Sequence, residues 1–392
     1  MRRLSRRRGL RHDTSPLTEH SNGPAVTVLP PRERFAPGEA GAIALLVHRL
    51  AEPGEIVVGP PTRRPPFSDV RFVSAGNDGL LTTRWPRGVF WPPFGLRFGP
   101  LRYAAAVAGR IASLRPSMIE IHNRPELAIA LRAWFPTIPM RLVLHNDPQG
   151  MRRVRIPGER ETLAQRLAVV CVSDWVSDRY CEGTKLRPSD LFILPNCLDL
   201  SALPSPLPVD ERQPVILFAG RIVADKGADA FVTACAEVLP ELPGWRAEMI
   251  GADRFGDDSP ETPFLAALRP RALTAGITMT GYQPHEAVMM AMNRAAMMVV
   301  PSRWPEPFGL TALEAMACGA ALIASPRGAL PSLVGDAGIL ADPDRKSDLA
   351  GAIRQMAMDA DLREHYRDLG RRRAMMFDVG SARARRRMAP AF

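Results

Sequence analysis

Two glutamates flanking a predicted loop-to-helix junction form the most chemically suggestive segment of this 392-residue chain. The segment runs from Pro301 to Gly319 and reads PSRWPEPFGLTALEAMACG, with Glu306 before the junction and Glu314 beyond it. The apolar run 295–300 predicts a buried strand that Pro301 ends, and the helix formers that follow predict a helix closing at Gly319. Backbone N–H groups at the start of such a helix favour a phosphate.

The spacing of the two carboxylates suits a ligand with hydroxyl groups at both ends and phosphate in the middle. Glu306 and Glu314 would be spread over roughly 10 Å, given a rise of ~1.5 Å per helical residue. The predicted phosphate seat at 308–311 lies between them. A nucleotide sugar has this layout. Glutamates at such a spacing more often mark a solvated helix face, so the interpretation needs support from elsewhere in the chain.

A second segment places two cations beside another predicted helix start. The apolar run 215–219 predicts a strand buried on both faces, and Gly220 ends it. Arg221 and Lys226 follow in the loop before a helix predicted at 228–238. Such a pair can neutralise a diphosphate without a metal, because arginine donates bidentate hydrogen bonds and lysine supplies a compact positive charge. The alternative is that both cations are ordinary surface residues.

Together the two segments resemble the motifs of the retaining glycosyltransferases of family 4, which have the GT-B fold. The resemblance covers about residues 25–375 and implies two Rossmann-like, doubly wound parallel-sheet domains with a cleft between them. It implies that Arg221 and Lys226 hold the donor diphosphate. It also implies that Glu306 meets the sugar hydroxyls and Glu314 reaches the ribose. The other donor contacts expected on this basis are Gly41, Gly220, Tyr282, Phe308, Gly309, Leu310 and Thr311.

The first half of the chain matches the family less tightly. Gly41 lies in the sequence FAPGEAGAI, which resembles the family's Pro-x-x-Gly-Gly loop with Ala40 in place of the first glycine. His145 ends a strand predicted at 140–144, and the resemblance places it near the sugar and diphosphate as a catalytic residue. A lone histidine after an apolar run is otherwise more often structural. The acceptor-site candidates are His122, Asn123 and Asn146.

Length and composition favour two globular domains. A chain of 392 residues is too long for one ordinary core, and its 46% hydrophobic and 23% charged residues are globular values. The five cysteines lack C-x2-C spacing, which argues against a disulfide framework or a structural zinc site and suits a reducing cytosol. The net charge of +10 suits an anionic membrane surface better than nucleic acid, because no nucleic-acid-binding signature accompanies it.

Strands and helices alternate along the sequence, which predicts parallel sheets covered by helices. The strands are predicted at 25–29, 55–58, 118–121, 140–144, 167–172, 192–194, 215–219, 246–250, 277–280, 297–300 and 321–324. Helices are predicted at 40–51, 125–135 and 228–238, whereas 60–100 has no clear assignment. The predicted divisions are a disordered basic tail (1–23), an acceptor-binding domain (24–205), a nucleotide-sugar-binding domain (206–375) and a C-terminal segment (376–392) whose return to the first domain is left open.

The resemblance implies a hexosyltransferase without a cofactor. The sequence predicts that it is metal-independent, because the helix dipole, Arg221 and Lys226 can stabilise a leaving nucleoside diphosphate. The Asp-x-Asp triplets at 342–344 and 359–361 lie where Mg²⁺ would not bridge phosphates. The expected donor is a UDP- or GDP-sugar. The expected acceptor is a saccharide or lipid-linked saccharide of cell-envelope, lipopolysaccharide or exopolysaccharide biosynthesis. The alternatives are a catalytically decayed nucleotide-sugar-binding protein and a sugar-nucleotide epimerase with the GT-B fold.

The segment 84–103 interleaves aromatic rings with four arginines and includes Trp91 and Arg97. Rings settle at the headgroup level of a membrane, where arginines meet anionic lipid, although an ordinary packed loop is the alternative. The arginine-rich tail would add attraction to an anionic surface. We therefore expect a cytoplasmic protein that binds the inner face of the membrane peripherally.

Overall fold

The computed structural model describes residues 23–76, 99–208, 210–253 and 261–392, and these ranges form two parallel sheets covered by helices. The first sheet contains β1 (Ala25–Val28), β2 (Ile56–Gly59), β3 (Arg71–Ser74), β4 (Met118–His122), β5 (Met140–Leu144), β6 (Ala168–Cys171) and β7 (Phe192–Ile193). The second contains β8 (Gln213–Ala219), β9 (Arg246–Ile250), β10 (Ile277–Gly281), β11 (Ala295–Val300), β12 (Ala321–Ala324) and β13 (Gly338–Leu340).

Helices connect most of these strands. In the first half they are α1 (Ala42–Leu50), α2 (Gly99–Leu114), α3 (Pro125–Trp134), α4 (Pro157–Ala164) and α5 (Asp174–Cys181). In the second half they are α6 (Ala228–Val238), α7 (Pro263–Thr274), α8 (His285–Arg294), α9 (Leu310–Ala317), α10 (Leu330–Val334), α11 (Lys346–Met358), α12 (Ala360–Met375) and α13 (Val379–Met388). Within the described ranges, no helix combines the length and apolar character needed to cross a membrane.

Both sheets have the strand order of a doubly wound fold. The first runs β3-β2-β1-β4-β5-β6-β7 and the second β10-β9-β8-β11-β12-β13, with parallel pairing throughout. The order reverses between β1 and β4 in one sheet and between β8 and β11 in the other. Ligands of open α/β sheets bind outside the carboxyl ends of the strands at this reversal. The predicted pair of doubly wound domains is confirmed.

The central strands are buried on both faces, which explains their continuous apolar sequences. All six residues of β11 and all five of β5 are buried. The edge strand β10 alternates instead, with Ile277 buried and Thr278 exposed. Burial on both faces makes the occasional polar side chain in a central strand notable, and one of them, Glu120 in β4, is only 1% exposed.

The C-terminal helix α13 lies on the first sheet rather than the second. Arg386 Nη2 donates to Thr27 Oγ1 at 3.1 Å, and the backbone of Phe392 bonds to Met140 at the start of β5. The chain reaches this position beside the interdomain connection, where Val379 N donates to Leu198 O at 2.9 Å. Residues 376–392 therefore tie the two halves of the molecule together.

The structure corrects several sequence-based bounds. The stretch 60–100, left unassigned, contains β3 and the start of α2, whose tyrosine at 103 donates its hydroxyl to Leu29 O at 2.7 Å. The hydroxyl of Tyr103 is therefore tied to the first sheet. The helix expected from Ala40 begins at Ala42, because Gly41 has an extended backbone with ψ of −179°. The basic tail to residue 22 and the membrane-binding candidates Trp91 and Arg97 lie outside the described residues.

Candidate active site

The reversal point of the second sheet brings the two sequence motifs into direct contact. Lys226, after β8, places its Nζ 2.5 Å from Glu306 Oε1, after β11, although 80 residues separate them in sequence. Ser302 Oγ donates to the same carboxylate oxygen at 2.8 Å. Because both contacts fall on Oε1, the other oxygen of Glu306 can accept from a ligand hydroxyl. The carboxylate thus has a fixed orientation before any ligand arrives.

Two glycines allow the loops to approach this closely. Gly227 has a φ of 68°, and a Cβ there would lie 1.8 Å from Pro301 O, so a larger residue would push Lys226 away from β11. Gly309 has a φ of 97° at the start of α9, where a Cβ would lie 2.6 Å from the Leu330 side chain. These positive φ values favour glycine for conformational reasons as well as spatial ones.

The start of α9 offers its backbone rather than its apolar side chains. The ring of Phe308 is 5% exposed and packs edge-on against Phe377, with the ring centroids 5.8 Å apart. Leu310 is half-buried and packs against the same core. Any donor contact by these two residues would come from their main-chain N–H groups, which is the arrangement that suits an anion at a helix start.

A cavity of about 240 Å³ adjoins this helix at the carboxyl ends of β8, β9 and β10. Its lining includes Gly220, Arg221, Tyr282, Thr311 and Glu314, which the sequence predicted as donor contacts. Ligand pockets usually occupy about 300–1,000 Å³. The cavity therefore suits part of a nucleotide sugar, such as the base and ribose, with the remainder reaching the open cleft toward Lys226 and Glu306.

The carboxyl edge of the first sheet carries His145, immediately after β5 and 9% exposed. Its Nε2 lies 2.8 Å from His122 Nδ1, and His122 Nε2 lies 2.9 Å from Glu120 Oε1. Asn123 Oδ1 accepts from the His145 backbone N–H at 3.1 Å. Asn146 is exposed beside this group. The three predicted residues His122, Asn123 and His145 are thus brought together at one strand edge.

His122 and Asn123, which the sequence predicted as acceptor-site residues, are both buried. Their side chains belong to residues that are 1% and 3% exposed, and their hydrogen bonds go to Glu120 and to His145. Both side chains bond to His145, and their contact with an acceptor stays a prediction. The strand pattern could have suggested the contact between Glu120 and His122, because residues two apart in a strand share a face, and Glu120 and His122 are two apart.

The ionisation of this group follows from its surroundings. Burial alone would raise the pKa of Glu120, but the charges of Arg386 and Arg141 and the hydrogen bond from His122 outweigh it and hold that pKa well below its usual range. Burial lowers the pKa of His145 well below its usual range, against an opposing effect of Glu120. Glu120 is therefore a carboxylate and His145 a neutral imidazole near pH 7.

Two family models match the chain and divide it near the junction of the two sheets. The model described as Glycosyltransferase Family 4 matches residues 42–202, and the model described as Glycosyl transferases group 1 matches residues 202–373. The chain belongs to glycosyltransferase family 4. The motifs around Lys226 and Glu306 lie within the second of the matched regions.

Individual relatives are distant. A D-inositol 3-phosphate glycosyltransferase from Segniliparus rotundus is 30% identical over 198 residues, which cover 48% of this chain and 44% of that protein. This family 4 chain spans about half the length of the curated relatives it matches. Among solved structures, sucrose-phosphate synthase from Thermosynechococcus elongatus has a TM-score of 0.71 at 19% identity. HepE from Anabaena, in complex with UDP and glucose, has a TM-score of 0.69 at 17% identity. Each similarity covers 93% of this chain and 98% of the other, and they confirm the GT-B fold.

Two polar residues of this family 4 chain were not predicted as site residues. His285, at the start of α8, places its Nε2 2.8 Å from Glu314 Oε1 at the cavity. Ser173 Oγ donates to Pro307 O at 2.5 Å across the two domains and so braces the loop of Glu306. Neither contact has a local sequence signal, because each joins elements far apart in the chain.

Gly41 faces an unexpected side chain. The carboxylate of Glu33 accepts from Ala44 N at 3.2 Å, and a Cβ on Gly41 would lie 2.6 Å from Glu33 Oε2. Burial raises the pKa of Glu33, against the lowering effect of the backbone donors. A carboxylate therefore occupies the start of α1, which the sequence had predicted to approach the donor phosphates.

The acidic triplet at 342–344 is engaged in ion pairs, and the triplet at 359–361 lies at the start of a helix. Arg303 Nε lies 2.6 Å from Asp344 Oδ1, and Arg327 Nη2 lies 3.2 Å from Asp342 Oδ1. Asp359 caps the start of α12 by accepting from Leu362 N. In the ranges that the structure describes, there is no cluster of three or more histidine, cysteine, aspartate or glutamate residues arranged to hold a metal ion.

Proposed function

We propose that this chain transfers a sugar from a nucleoside-diphosphate sugar, a UDP- or GDP-sugar, to a hydroxyl group of a saccharide or lipid-linked saccharide. The observation that carries the proposal is the Lys226–Glu306 pair at the strand-order reversal of the second sheet, beside a cavity lined by Arg221 and Glu314. A cation and a carboxylate at this position suit a ligand that combines phosphate with sugar hydroxyls. The UDP and glucose in the HepE complex support the same ligand class.

The proposed binding mode follows the order of the side chains along the cleft. The base would lie beside Tyr282, which is 40% exposed, and the ribose hydroxyls would reach Glu314 and His285. Arg221 and the start of α9 would hold the diphosphate, together with Lys226. The sugar would then lie against the open oxygen of Glu306. No step of this binding mode requires a metal ion, because the protein's own cations and helix dipole neutralise the diphosphate.

Retention of configuration is part of the proposal and is supported by membership of family 4. Glu306 is fixed by Lys226 and Ser302 and so is suited to hold the sugar rather than to take a proton from the acceptor. The leaving phosphate is then the base for the incoming hydroxyl. The anomeric configuration of the product, read by NMR, tests this: a product inverted relative to the donor would exclude it.

For the acceptor we propose a saccharide or lipid-linked saccharide of the cell envelope or an exopolysaccharide, reached at an anionic membrane surface on the cytoplasmic side. The loop between β5 and α4 supports this, because it leaves the same strand edge as His145 and exposes Arg152, Arg153 and Arg155. Ile156 beside them is 58% exposed. Cations next to an exposed apolar side chain suit an anionic headgroup layer.

Vesicle flotation at low and high salt tests the membrane part of the proposal. We expect recovery with anionic vesicles at low salt, a loss of recovery at high salt, and weaker binding after Arg152→Ala and Arg155→Ala together. Equal recovery with neutral and anionic vesicles would contradict it. Binding that depends instead on Trp91 and Arg97, and is indifferent to Arg152 and Arg155, would move the contact to that other segment.

Donor screening tests the catalytic part. Purified protein incubated with UDP- and GDP-sugars should release UDP or GDP slowly with water and faster with a saccharide acceptor. An epimerase would convert the donor sugar without releasing its nucleotide. A decayed binding protein would bind a donor without either reaction. Failure to release nucleotide from any donor, in the presence of saccharide and glycolipid acceptors, would refute the proposal.

A further inference from the structure

A continuous series of hydrogen-bonded polar side chains runs along the first sheet and ends at the cleft. It consists of Glu120, His122 and His145, which we call the buried relay. His122 Nε2 lies 2.9 Å from Glu120 Oε1, and His122 Nδ1 lies 2.8 Å from His145 Nε2. All three residues are at most 9% exposed. Both ring nitrogens of His122 are therefore used inside the protein, whereas His145 uses only its Nε2 within the relay.

The strand register explains how the relay is assembled. Glu120 of β4 stands opposite Arg141 of β5, and His122 stands opposite Val143. Residues two apart in a strand point to the same face, so Glu120, His122, Arg141 and His145 share one face of the sheet. The relay thus runs along this face toward the carboxyl edges of the strands, where ligands of such sheets bind.

The charges around Glu120 balance without a second proton on His122. Arg141 Nε lies 2.5 Å from Glu120 Oε2, and Arg386 of α13 bonds both to Glu120 and, at 2.8 Å, to Glu55 before β2. The formal charges of these two arginines and two carboxylates sum to zero. The remaining neighbour is the neutral hydroxyl of Thr27 in β1, which accepts a hydrogen bond from Arg386. A second proton on His122 would add an unbalanced buried charge, which is costly.

The proton positions follow step by step from the properties of these groups. An ionised carboxylate only accepts, so His122 must carry its proton on Nε2. A neutral imidazole has one donor and one acceptor nitrogen, so His122 Nδ1 accepts. His145 Nε2 must then donate to it. His145 is left with an unprotonated Nδ1, a nitrogen that accepts a hydrogen bond.

We propose that Glu120 is a positioning residue: through His122 it holds His145 as the Nε2–H tautomer, so that His145 Nδ1 accepts from a hydroxyl group of the ligand in the cleft. The ligand part of this inference rests on the proposed function. A sugar hydroxyl can donate to Nδ1, whereas an ionised phosphate oxygen is an acceptor only. The relay therefore favours a contact of His145 with the sugar over a contact with the diphosphate. The sequence alone predicted only that His145 lies near both.

Glu120→Gln should reverse the direction of the hydrogen bonds in the relay while conserving the shape of the side chain. With its oxygen at the position of Oε2, where Arg141 Nε and Arg386 Nε donate, the new side chain turns its NH2 group toward His122 Nε2. Arg386 Nη2 then keeps the Thr27 hydroxyl as an acceptor. His122 would then carry its proton on Nδ1 and donate to His145 Nε2, so the proton of His145 would move to Nδ1. Groups that orient a metal-ligating histidine typically change activity by about 10- to 100-fold when altered, and we expect a loss of similar size in kcat/KM here.

The test is a long-range ¹H–¹⁵N NMR spectrum of the full chain labelled with ¹⁵N-histidine. The resonances of His145 are identified from a His145→Asn spectrum. We expect the proton of His145 on Nε2 in the wild type and on Nδ1 in Glu120→Gln. The matched control is Glu55→Gln, which contacts Arg386 but not His122 and should leave the proton on Nε2. A wild-type proton on Nδ1, or an unchanged tautomer in Glu120→Gln, would overturn the proposal.

His122→Phe provides a second measurement if Glu120→Gln does not fold, because it keeps the ring volume and the Glu120 ion pairs. Without an acceptor for its Nε2–H, His145 should show both tautomers in exchange. A retained, single Nε2–H tautomer in His122→Phe would also overturn the proposal. These spectra require no sugar transfer, so a failure of the proposed function would appear as an inactive wild type with the His145 tautomer still as inferred.

Discussion

Lys226→Ala removes one cation from the candidate diphosphate site and tests the active-site assignment most directly. In the structure its Nζ lies 2.5 Å from Glu306 Oε1, and its side chain is 26% exposed against 13% for Glu306. The residue precedes Gly227, whose left-handed backbone shapes the loop whatever side chain stands at 226. The substitution should therefore leave the loop in place and remove only the charge and its hydrogen bonds.

The magnitude follows from the kind of interaction that is lost. A hydrogen bond to a charged group contributes about 1.5–3 kcal/mol. A preorganised contact to charge that develops in the transition state is worth about 10²–10³ in kcat. Since each ~1.4 kcal/mol is tenfold in rate, both estimates meet near 100-fold. Negative charge grows on the leaving diphosphate during transfer, so the loss should fall mainly on kcat.

The assay is steady-state release of UDP or GDP in the presence of acceptor, with folding checked by thermal melting. Lys226→Ala should lower kcat by at least about 100-fold, and Glu306→Ala by a similar factor. Lys185→Ala is the matched control, because Lys185 is an exposed lysine of the first domain that uses its backbone N–H to bond Glu161. Near-wild-type rates in a folded Lys226→Ala or Glu306→Ala enzyme would refute the assignment.

Three further results are expected. Activity should survive excess EDTA, and a loss that added Mg²⁺ restores would contradict the metal-free binding mode. His285→Ala should raise the donor KM more than it lowers kcat, because His285 contacts Glu314 at the proposed ribose site; a pure kcat effect would exclude that role. Burial raises the pKa of Glu33, so its stabilising effect is full below pH 4.5 and is lost as pH rises through the raised value. Glu33→Gln should therefore raise Tm at pH 7 and change it little at pH 4, and an equal shift at both would contradict this.

Local sequence patterns were sufficient for the two α/β domains and for both motifs of the second half. A continuous apolar strand, a glycine and a helix start follow one another within about a dozen residues at 215–228 and 295–311. Such signals depend on neighbours in the chain, and the structure placed these strands and helices within a few residues of the predicted bounds. The membership of family 4 confirmed the resemblance that these motifs carried.

Only the tertiary structure decided which of these residues touch. The Lys226–Glu306 contact joins loops 80 residues apart, and the Arg386–Glu120 ion pair joins positions 266 residues apart. Strand order and register set these contacts, and both depend on pairing between distant segments rather than on local propensity. His122 could be read from sequence as a histidine at a strand end, but its burial between Glu120 and His145 arises when β4 and β5 pair and α13 returns to cover them.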